Sequence, residues 1–167
     1  MPRTRIALLL ALPLLSGCFG DNPDNVPLRG EWQLVKTLDS VTLDGMTFSA
    51  DQIPAELRNF EGTETRCGEP LYTDADWQSD DIANRTGGMC ELETYTHDGD
   101  SAEYAGICTI EQAGGSYTPS LTGYSRFDET SSRDVVTMEG TITLPGDATP
   151  HVLKMIAVQE GTRIGDC

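Results

Sequence analysis

From residue 28 onward, apolar and polar residues alternate in several runs, a period typical of strands with one buried face. Polar residues separate the apolar positions in these runs, as in "VVTMEGTITL". The apolar positions of the clearest runs are Trp32, Leu34 and Leu38; Tyr117, Leu121 and Phe127; and Val136, Met138, Ile142 and Leu144. Each run therefore predicts a strand that packs one side against a core.

Short turn-forming segments separate these runs. They are "HDGD" around Asp98-Gly99, "AGG" at 113–115, "DETSSRD" at 128–134 and "PGDATP" at 145–150. Their Gly, Pro and Asp residues favour tight turns, and strands joined by tight turns favour an antiparallel meander. The sequence therefore predicts a mainly β fold, in which the meander forms a curved sheet or a lipocalin-like barrel with one or two short helices and two disulfides.

Two segments favour helices instead. The first follows Ile53, with Pro54 tolerated in the first turn. The second has Thr73 as its predicted N-cap, acidic residues in its first turn, and Gly87-Gly88 at its end. No repeat or nucleotide-binding glycine motif is present, so we expect a single domain.

The N-terminus has a different character. Arg3 and Arg5 precede an apolar run at residues 6–15 that is too short to span a bilayer, which indicates an export signal. Leu15-Ser16-Gly17-Cys18 resembles the lipobox of bacterial lipoproteins, where cleavage precedes the cysteine and its sulfur receives a diacylglyceryl group. A secretory signal with an incidental cysteine is the alternative. We interpret residues 1–17 as a lipoprotein signal peptide and Cys18 as the lipid attachment site.

Lipidation of Cys18 would hold a folded domain at a membrane, because two or more acyl chains such as palmitate anchor a protein stably. The stretch "GDNPDNVP" predicts a flexible tether within residues 18–27, followed by one β-rich domain at 28–167. Phe19, rather than an aspartate, follows the cysteine. By resemblance to enterobacterial sorting, this predicts the outer membrane, with the domain facing the periplasm.

The chain is strongly acidic, with 27 Asp and Glu against 11 Lys and Arg and a formal charge of −16. Loss of residues 1–17 would remove two basic residues and no acidic ones, which leaves 150 residues with a charge of −18. Such a charge repels nucleic acid and anionic lipid surfaces. Solubility explains it most simply, and binding of divalent cations or basic partners is the alternative.

Four cysteines remain besides Cys18: Cys67, Cys90, Cys108 and Cys167. An even set in an exported domain indicates two disulfides, because the periplasm is oxidising. Neither a Cys-x-x-Cys pair nor a nearby histidine supports a zinc site. We therefore expect no metal and no other cofactor.

The pairing of these cysteines depends on the hairpin around Asp98-Gly99. A two-residue loop there would leave Cys90 and Cys108 on opposite faces of the sheet, whereas a three-residue loop would place them directly opposite each other. All three connectivities stay open at this point. The preferred one is Cys67–Cys90, which would clasp the second helix, with Cys108–Cys167, which would pin the C-terminus.

Five segments follow one another in a characteristic order: Gly30-Glu31-Trp32-Gln33, the connection around Gly45-Met46, Cys67 to Asp76, Cys90 to Cys108, and Arg163-Ile164-Gly165-Asp166-Cys167. Together they resemble a family of small exported proteobacterial proteins known only as a domain of unknown function. The resemblance covers most of residues 28–167, although the acidic segment between Cys67 and Cys90 is longer here and methionines are fewer. It implies a β-rich exported domain, supports the disulfides, and implies no activity.

The residues that could take part in catalysis or metal binding have structural explanations. His97 and His151 lie beside turns, where a lone histidine is usually solvated. The acidic cluster Asp74, Asp76, Asp80 and Asp81 lacks the spacing of a calcium loop and suits a helix N-terminus with a solvated face. Tyr95, Tyr104, Tyr117 and Tyr124 are typical of a core, with a barrel lining as the alternative. We predict no catalytic residues.

The sequence thus predicts a non-enzymatic, lipid-anchored periplasmic domain with a binding or envelope-structural role. One alternative is a carrier of a small apolar ligand inside a β-barrel. Another is an inhibitor or chaperone of a second exported protein, because "LRGEWQLV" is similar to the opening strand of lipocalin-like barrels and of small periplasmic protease-inhibitor lipoproteins.

Overall fold

The computed structural model describes residues 24–49, 51–53, 58, 61–112, 115–144 and 147–167. Ten strands and one helix lie within these ranges. In chain order they are β1 (Gly30–Leu43), β2 (Met46–Phe48), β3 (Gly62–Gly68), α1 (Ala75–Thr86), β4 (Cys90–Asp98), β5 (Ser101–Cys108), β6 (Ile110–Gln112), β7 (Gly115–Tyr117), β8 (Ser120–Phe127), β9 (Ser131–Thr143) and β10 (Pro150–Gly165).

Eight of the strands form one curved, open antiparallel sheet in the order β2-β1-β10-β9-β8-β5-β4, and β3 pairs with β1 next to β2. The mainly β fold and the curved sheet are therefore confirmed. The lipocalin-like barrel is not formed, since within the described residues β4 ends the sheet on one side and β2 and β3 end it on the other. A closed barrel would require β4 to pair with a second strand besides β5. The helix α1 packs against β4 instead.

The predicted turns connect strands as expected. The pairs β4–β5, β8–β9 and β9–β10 are antiparallel neighbours in the large sheet, and β6 and β7 form a separate two-stranded sheet. Gly99 adopts a φ of 58° in the first of these turns, a conformation that glycine reaches without strain. Residues 113–114 and 145–146, within two of the turns, lie outside the described residues.

The first strand of the sheet lies beside the last. β1 pairs with β10 along nearly its whole length. A register shift between Leu38 and Ser40 inserts one extra residue in β1. As a result, the buried positions change from the even-numbered Trp32 and Leu34 to the odd-numbered Val41.

One face of the sheet, called the inner face below, carries the core. Paired residues on neighbouring strands form rows across it: Leu34, Gly161, Ser132 and Phe127 in one row, and Leu38, Ala157, Val136, Gly123 and Tyr104 in another. Trp32 and Leu34 are fully buried, which confirms the predicted apolar face of β1. The Trp32 Nε1 donates to the Leu28 carbonyl oxygen at 3.0 Å, so the indole is also satisfied.

The helix predicted over the acidic segment is α1, but its N-cap is Asp74 rather than Thr73. The Asp74 carboxylate accepts from the backbone N–H groups of Asp76 and Trp77, which have no partner inside the helix. Thr73 is engaged elsewhere, because its backbone N–H and its hydroxyl both donate to Asn25 Oδ1. The cap therefore falls one residue later than predicted.

The end of α1 agrees with the sequence. Gly87 adopts a left-handed φ of 62°. The backbone N–H groups of Gly87 and Gly88 donate to the carbonyl oxygens of Asn84 and Ala83, respectively. The other predicted helix, after Ile53, falls mostly on residues 54–57 and 59–60, which lie outside the described residues.

The disulfides are Cys67–Cys167 and Cys90–Cys108, so the preferred pairing of Cys67 with Cys90 and of Cys108 with Cys167 is wrong. The reason is a combination of loop length and bulge. Asp98 pairs with Ser101 across a two-residue loop, and a register shift between Leu92 and Thr94 then places Cys90 directly opposite Cys108.

The disulfide Cys67–Cys167 ties the end of the chain to the edge of the sheet. Cys67 on β3 and Gly165 on β10 both pair with Glu31, from opposite sides of β1. Cys167 follows β10 by two residues and reaches over the start of β1 to Cys67. Three neighbouring strands are therefore closed covalently at this end.

The two disulfides should contribute unequally to stability. Cys67–Cys167 spans 100 residues and Cys90–Cys108 spans 18. In the chain-entropy account these loops correspond to about 4.7 and about 3 kcal/mol of unfolding free energy. Replacing Cys67 and Cys167 together by Ala should therefore lower the denaturant midpoint more than replacing Cys90 and Cys108 together. A larger loss from the Cys90 and Cys108 pair would contradict this account.

Candidate functional site

The predicted lipid attachment residue, Cys18, lies outside the described residues. Asn25, seven positions further along the chain, is buried. Its Nδ2 donates to the carbonyl oxygens of Pro27 and Leu71 at 3.1 and 3.0 Å. Its Oδ1 accepts from the Thr73 backbone N–H at 2.7 Å. Asn25, which lies within the segment predicted as a tether, is thus bound to the β3–α1 connection.

The connection between β3 and α1 is held by side chains from three parts of the chain. Besides Asn25, Gln78 of α1 accepts from the Tyr72 backbone N–H at 2.6 Å. The Tyr95 hydroxyl of β4 donates to the Tyr72 carbonyl oxygen at 2.7 Å. Leu71 between them is buried against the inner face. The start of the domain, the helix and the sheet are therefore linked at one point.

The acidic cluster has structural partners. Asp74 caps α1, and Asp81 forms an ion pair of 2.7 Å with Arg85 one turn later. Asp76 and Asp80 are exposed on the helix, as a solvated face requires. Across the described ranges, no group of three or more His, Cys, Asp or Glu side chains is placed to hold a metal ion.

The inner face also carries a buried carboxyl group that the sequence analysis did not single out. It belongs to Asp134 on β9. Its oxygens accept from the Tyr104 hydroxyl at 2.8 and 2.9 Å and from the Ser125 hydroxyl at 2.7 Å. Burial raises the pKa of Asp134, while the two hydroxyl donors oppose that rise. Burial, with the neighbouring carboxylate, also raises the pKa of Tyr104. Tyr104 is thus a core residue with a satisfied polar end.

The other tyrosines divide between core and surface. Tyr117 is buried and Tyr95 is half-buried, as predicted for core residues. Tyr124 is 37% exposed on the opposite, outer face, where Arg126 donates to its hydroxyl.

The packing of Tyr104 depends on Gly123 on the neighbouring strand. A Cβ atom at Gly123 would overlap the Tyr104 ring, whereas a Cβ at Gly165 would meet nothing within 4 Å. Gly123→Ala should therefore lower the free energy of unfolding by about 1–3 kcal/mol through overpacking. Gly165→Ala is the matched control and should change it much less. Equal denaturant midpoints for the two variants would show that Tyr104 is not confined in this way.

His151 is not the solvated turn residue that the sequence predicted. Its Nδ1 lies 2.7 Å from Asp44 Oδ2, its Nε2 lies 3.1 Å from Asp147 Oδ2, and its side chain is 17% exposed. Asp44 also accepts from the Val152 backbone N–H at 2.8 Å and adopts a left-handed φ of 50°. We call these three side chains the His151 clamp, because they join the β1–β2 turn to the β9–β10 connection.

Local sequence carries no signal for this clamp, since 107 residues separate Asp44 from His151. The other histidine, His97, agrees better with the prediction. It is exposed beside its turn, where Nε2 lies 2.8 Å from the Gly99 carbonyl oxygen, and its ring stacks against Phe127.

The clamp changes the protonation of its members. Hydrogen bonding to Asp44, and then to Asp147, raises the pKa of His151 above 6.5. Donation from Thr149, with a smaller effect of His151, lowers the pKa of Asp147 to about 2. The bond with His151, followed by that from the Val152 N–H, lowers the pKa of Asp44. The imidazolium with two carboxylates is therefore the favoured state.

This arrangement predicts a pH window for stability. A raised histidine pKa stabilises the fold below the unfolded value of 6.5 and loses that effect as pH rises through the folded value. The lowered aspartate pKa values stabilise the fold above 3.8 and lose their effect as pH falls. The clamp should therefore contribute most between these two limits. Denaturant midpoints of wild type and His151→Gln should differ most within that window.

Asp44→Asn provides a control for this measurement. Asparagine tolerates the left-handed turn and still accepts from Val152, but it removes one charge facing His151. Its midpoint should show a weaker pH dependence than that of wild type. A difference between wild type and His151→Gln that is constant from pH 4 to pH 9 would contradict the ionic clamp.

Shallow depressions mark the surface of the described residues. Two, of about 330 and about 250 Å³, lie along β4 and β5, where threonine and carboxylate side chains line both; Tyr104 and Tyr124 also line the larger one. A third, of about 220 Å³, has Met89 and Ile107 beside Glu91 and Glu93. The hypothesis of a carrier of a small apolar ligand stays a prediction.

Comparison with known proteins gives no match to any family model, curated protein or solved structure. The resemblance to the exported family of unknown function therefore stays a prediction. Among the described residues, no helix is long and apolar enough to cross a membrane.

Proposed function

We propose that this chain is a lipid-anchored, non-enzymatic domain of the bacterial cell envelope with a binding or structural role. In this proposal residues 1–17 are removed on export and acyl chains on the Cys18 sulfur hold the domain. The location is the outer membrane, with the domain in the periplasm.

One observation carries the proposal. The chain has five cysteines, and four of them pair with each other in two disulfides. Cys18 is left without a cysteine partner in the chain, and it lies at the end of the lipobox-like Leu15-Ser16-Gly17-Cys18. A thioether to lipid is the chemistry that accounts for a cysteine in that sequence.

The disulfides also support the compartment. Structural disulfides persist where the environment is oxidising, as in the periplasm, and are rare in the cytosol. Both lie between parts of the sheet, where they brace strand pairs rather than a reactive centre. An exported protein therefore suits this structure better than a cytosolic one.

A non-enzymatic role is favoured by the way the polar groups are used. The Asp134 carboxyl group is occupied by Tyr104 and Ser125, and His151 is held between Asp44 and Asp147. Each arrangement joins separate strands or turns and accounts for the residues that form it.

The alternative of an inhibitor or chaperone of an exported protein needs a surface other than Trp32. The sequence pattern drew attention to that strand, but Trp32 is fully buried and bonded to Leu28. A partner would instead meet exposed side chains such as Met89, Ile107 or Tyr124, which are 49%, 42% and 37% exposed.

The anchor is tested by labelling cells with a fatty-acid analogue. Wild type should carry the label and fractionate with membranes, whereas Cys18→Ser should be unlabelled and soluble. Ser16→Ala keeps a small residue before the cleavage site and should behave as wild type. Label retained in Cys18→Ser, or a soluble and unlabelled wild type, would overturn the proposal.

A further inference from the structure

The proposed anchor residue, Cys18, and the buried Asn25 are close in sequence. Six residues lie between Cys18 and Asn25, so seven residue steps join them, and a fully extended chain spans about 3.3–3.6 Å per residue. The Cα atoms of Cys18 and Asn25 can therefore lie no further apart than about 25 Å. The conclusion rests on the lipid anchor proposed above, because without it no such limit applies.

Asn25 fixes which part of the domain this limit brings to the membrane. It binds Thr73, which directly precedes the N-cap of α1. The opposite end of the sheet is far away, since His151 and Arg163 are twelve positions apart on β10 and a strand rises by about 3.3 Å per residue. The first turn of α1 thus lies at the anchored end, and the His151 clamp lies at the other.

A large aromatic side chain is exposed at that anchored end. Trp77, in the first turn of α1, is 39% exposed, and its backbone N–H is bound by the Asp74 cap. Its ring contacts the Tyr72 ring in a tilted arrangement, at a centroid distance of 5.5 Å. Tryptophan favours the membrane–water interface because its ring is apolar and its N–H is polar.

The charges around Trp77 indicate the kind of lipid surface. Asp74, Asp76 and Asp80 are exposed on the same stretch of helix. Carboxylates are repelled by anionic headgroups, whereas a zwitterionic surface has no net charge to oppose them. The tryptophan would therefore meet a zwitterionic bilayer more readily than an anionic one.

We propose that the first turn of α1 rests against the headgroup region of a zwitterionic phospholipid bilayer through Trp77, held there by the short connection to Cys18. In this arrangement α1 lies at the membrane. The His151 clamp lies at the other end of β10, further from it.

The two tryptophans allow a direct test. The lipidated protein is placed in phosphatidylcholine vesicles whose acyl chains carry bromine, a short-range quencher of tryptophan emission. Wild type should lose emission relative to ordinary vesicles. Trp77→Phe should lose little, because its remaining tryptophan, Trp32, is fully buried, and phenylalanine keeps the contact with Tyr72.

Each outcome has a defined meaning. Equal quenching of wild type and Trp77→Phe, in samples that carry the fatty-acid label, would overturn the membrane contact and leave the anchor intact. Absence of the label would overturn the anchor, and the contact with it. Replacing part of the phosphatidylcholine by phosphatidylglycerol should reduce the quenching of wild type, and an increase would overturn the zwitterionic preference.

Discussion

The pairing of the first strand with the last is the constraint on which this structure depends. β1 has β10 on one side and β2 and β3 on the other, so it joins the C-terminal meander to the N-terminal part of the domain. Trp32 and Leu34 on β1 are the most deeply buried large side chains of the inner face. Contacts so distant in sequence form late and at high entropic cost, which gives a covalent link between the same strands a clear physical role.

That link is Cys67–Cys167, which closes the C-terminus over β1. At the opposite end of β1 the His151 clamp fixes the β1–β2 turn against the start of β10. One long strand pair is therefore secured at both ends, by a covalent bond at one and by charge at the other. Such bracing would suit the exported domain proposed above, because disulfides persist in an oxidising compartment.

The sequence pattern predicts those features that depend on neighbours in the chain. Alternation identifies the strands, and glycine and aspartate mark their turns. The disulfide pairing was missed because a bulge at Glu93 alters the register by one residue, and no local pattern reveals a bulge. The His151 clamp was missed because its carboxylates come from two separate turns. Asp134 looked like part of a polar turn, although its partners lie on β5 and β8.

The central claim is that Cys18 is a lipid-modified N-terminus, and intact mass measures this most directly. Protein extracted from the membranes of its own cells should lack residues 1–17 and begin at a cysteine heavier by a diacylglyceryl group. A mass that matches a chain with an unmodified Cys18, or one that retains residues 1–17, would contradict the account.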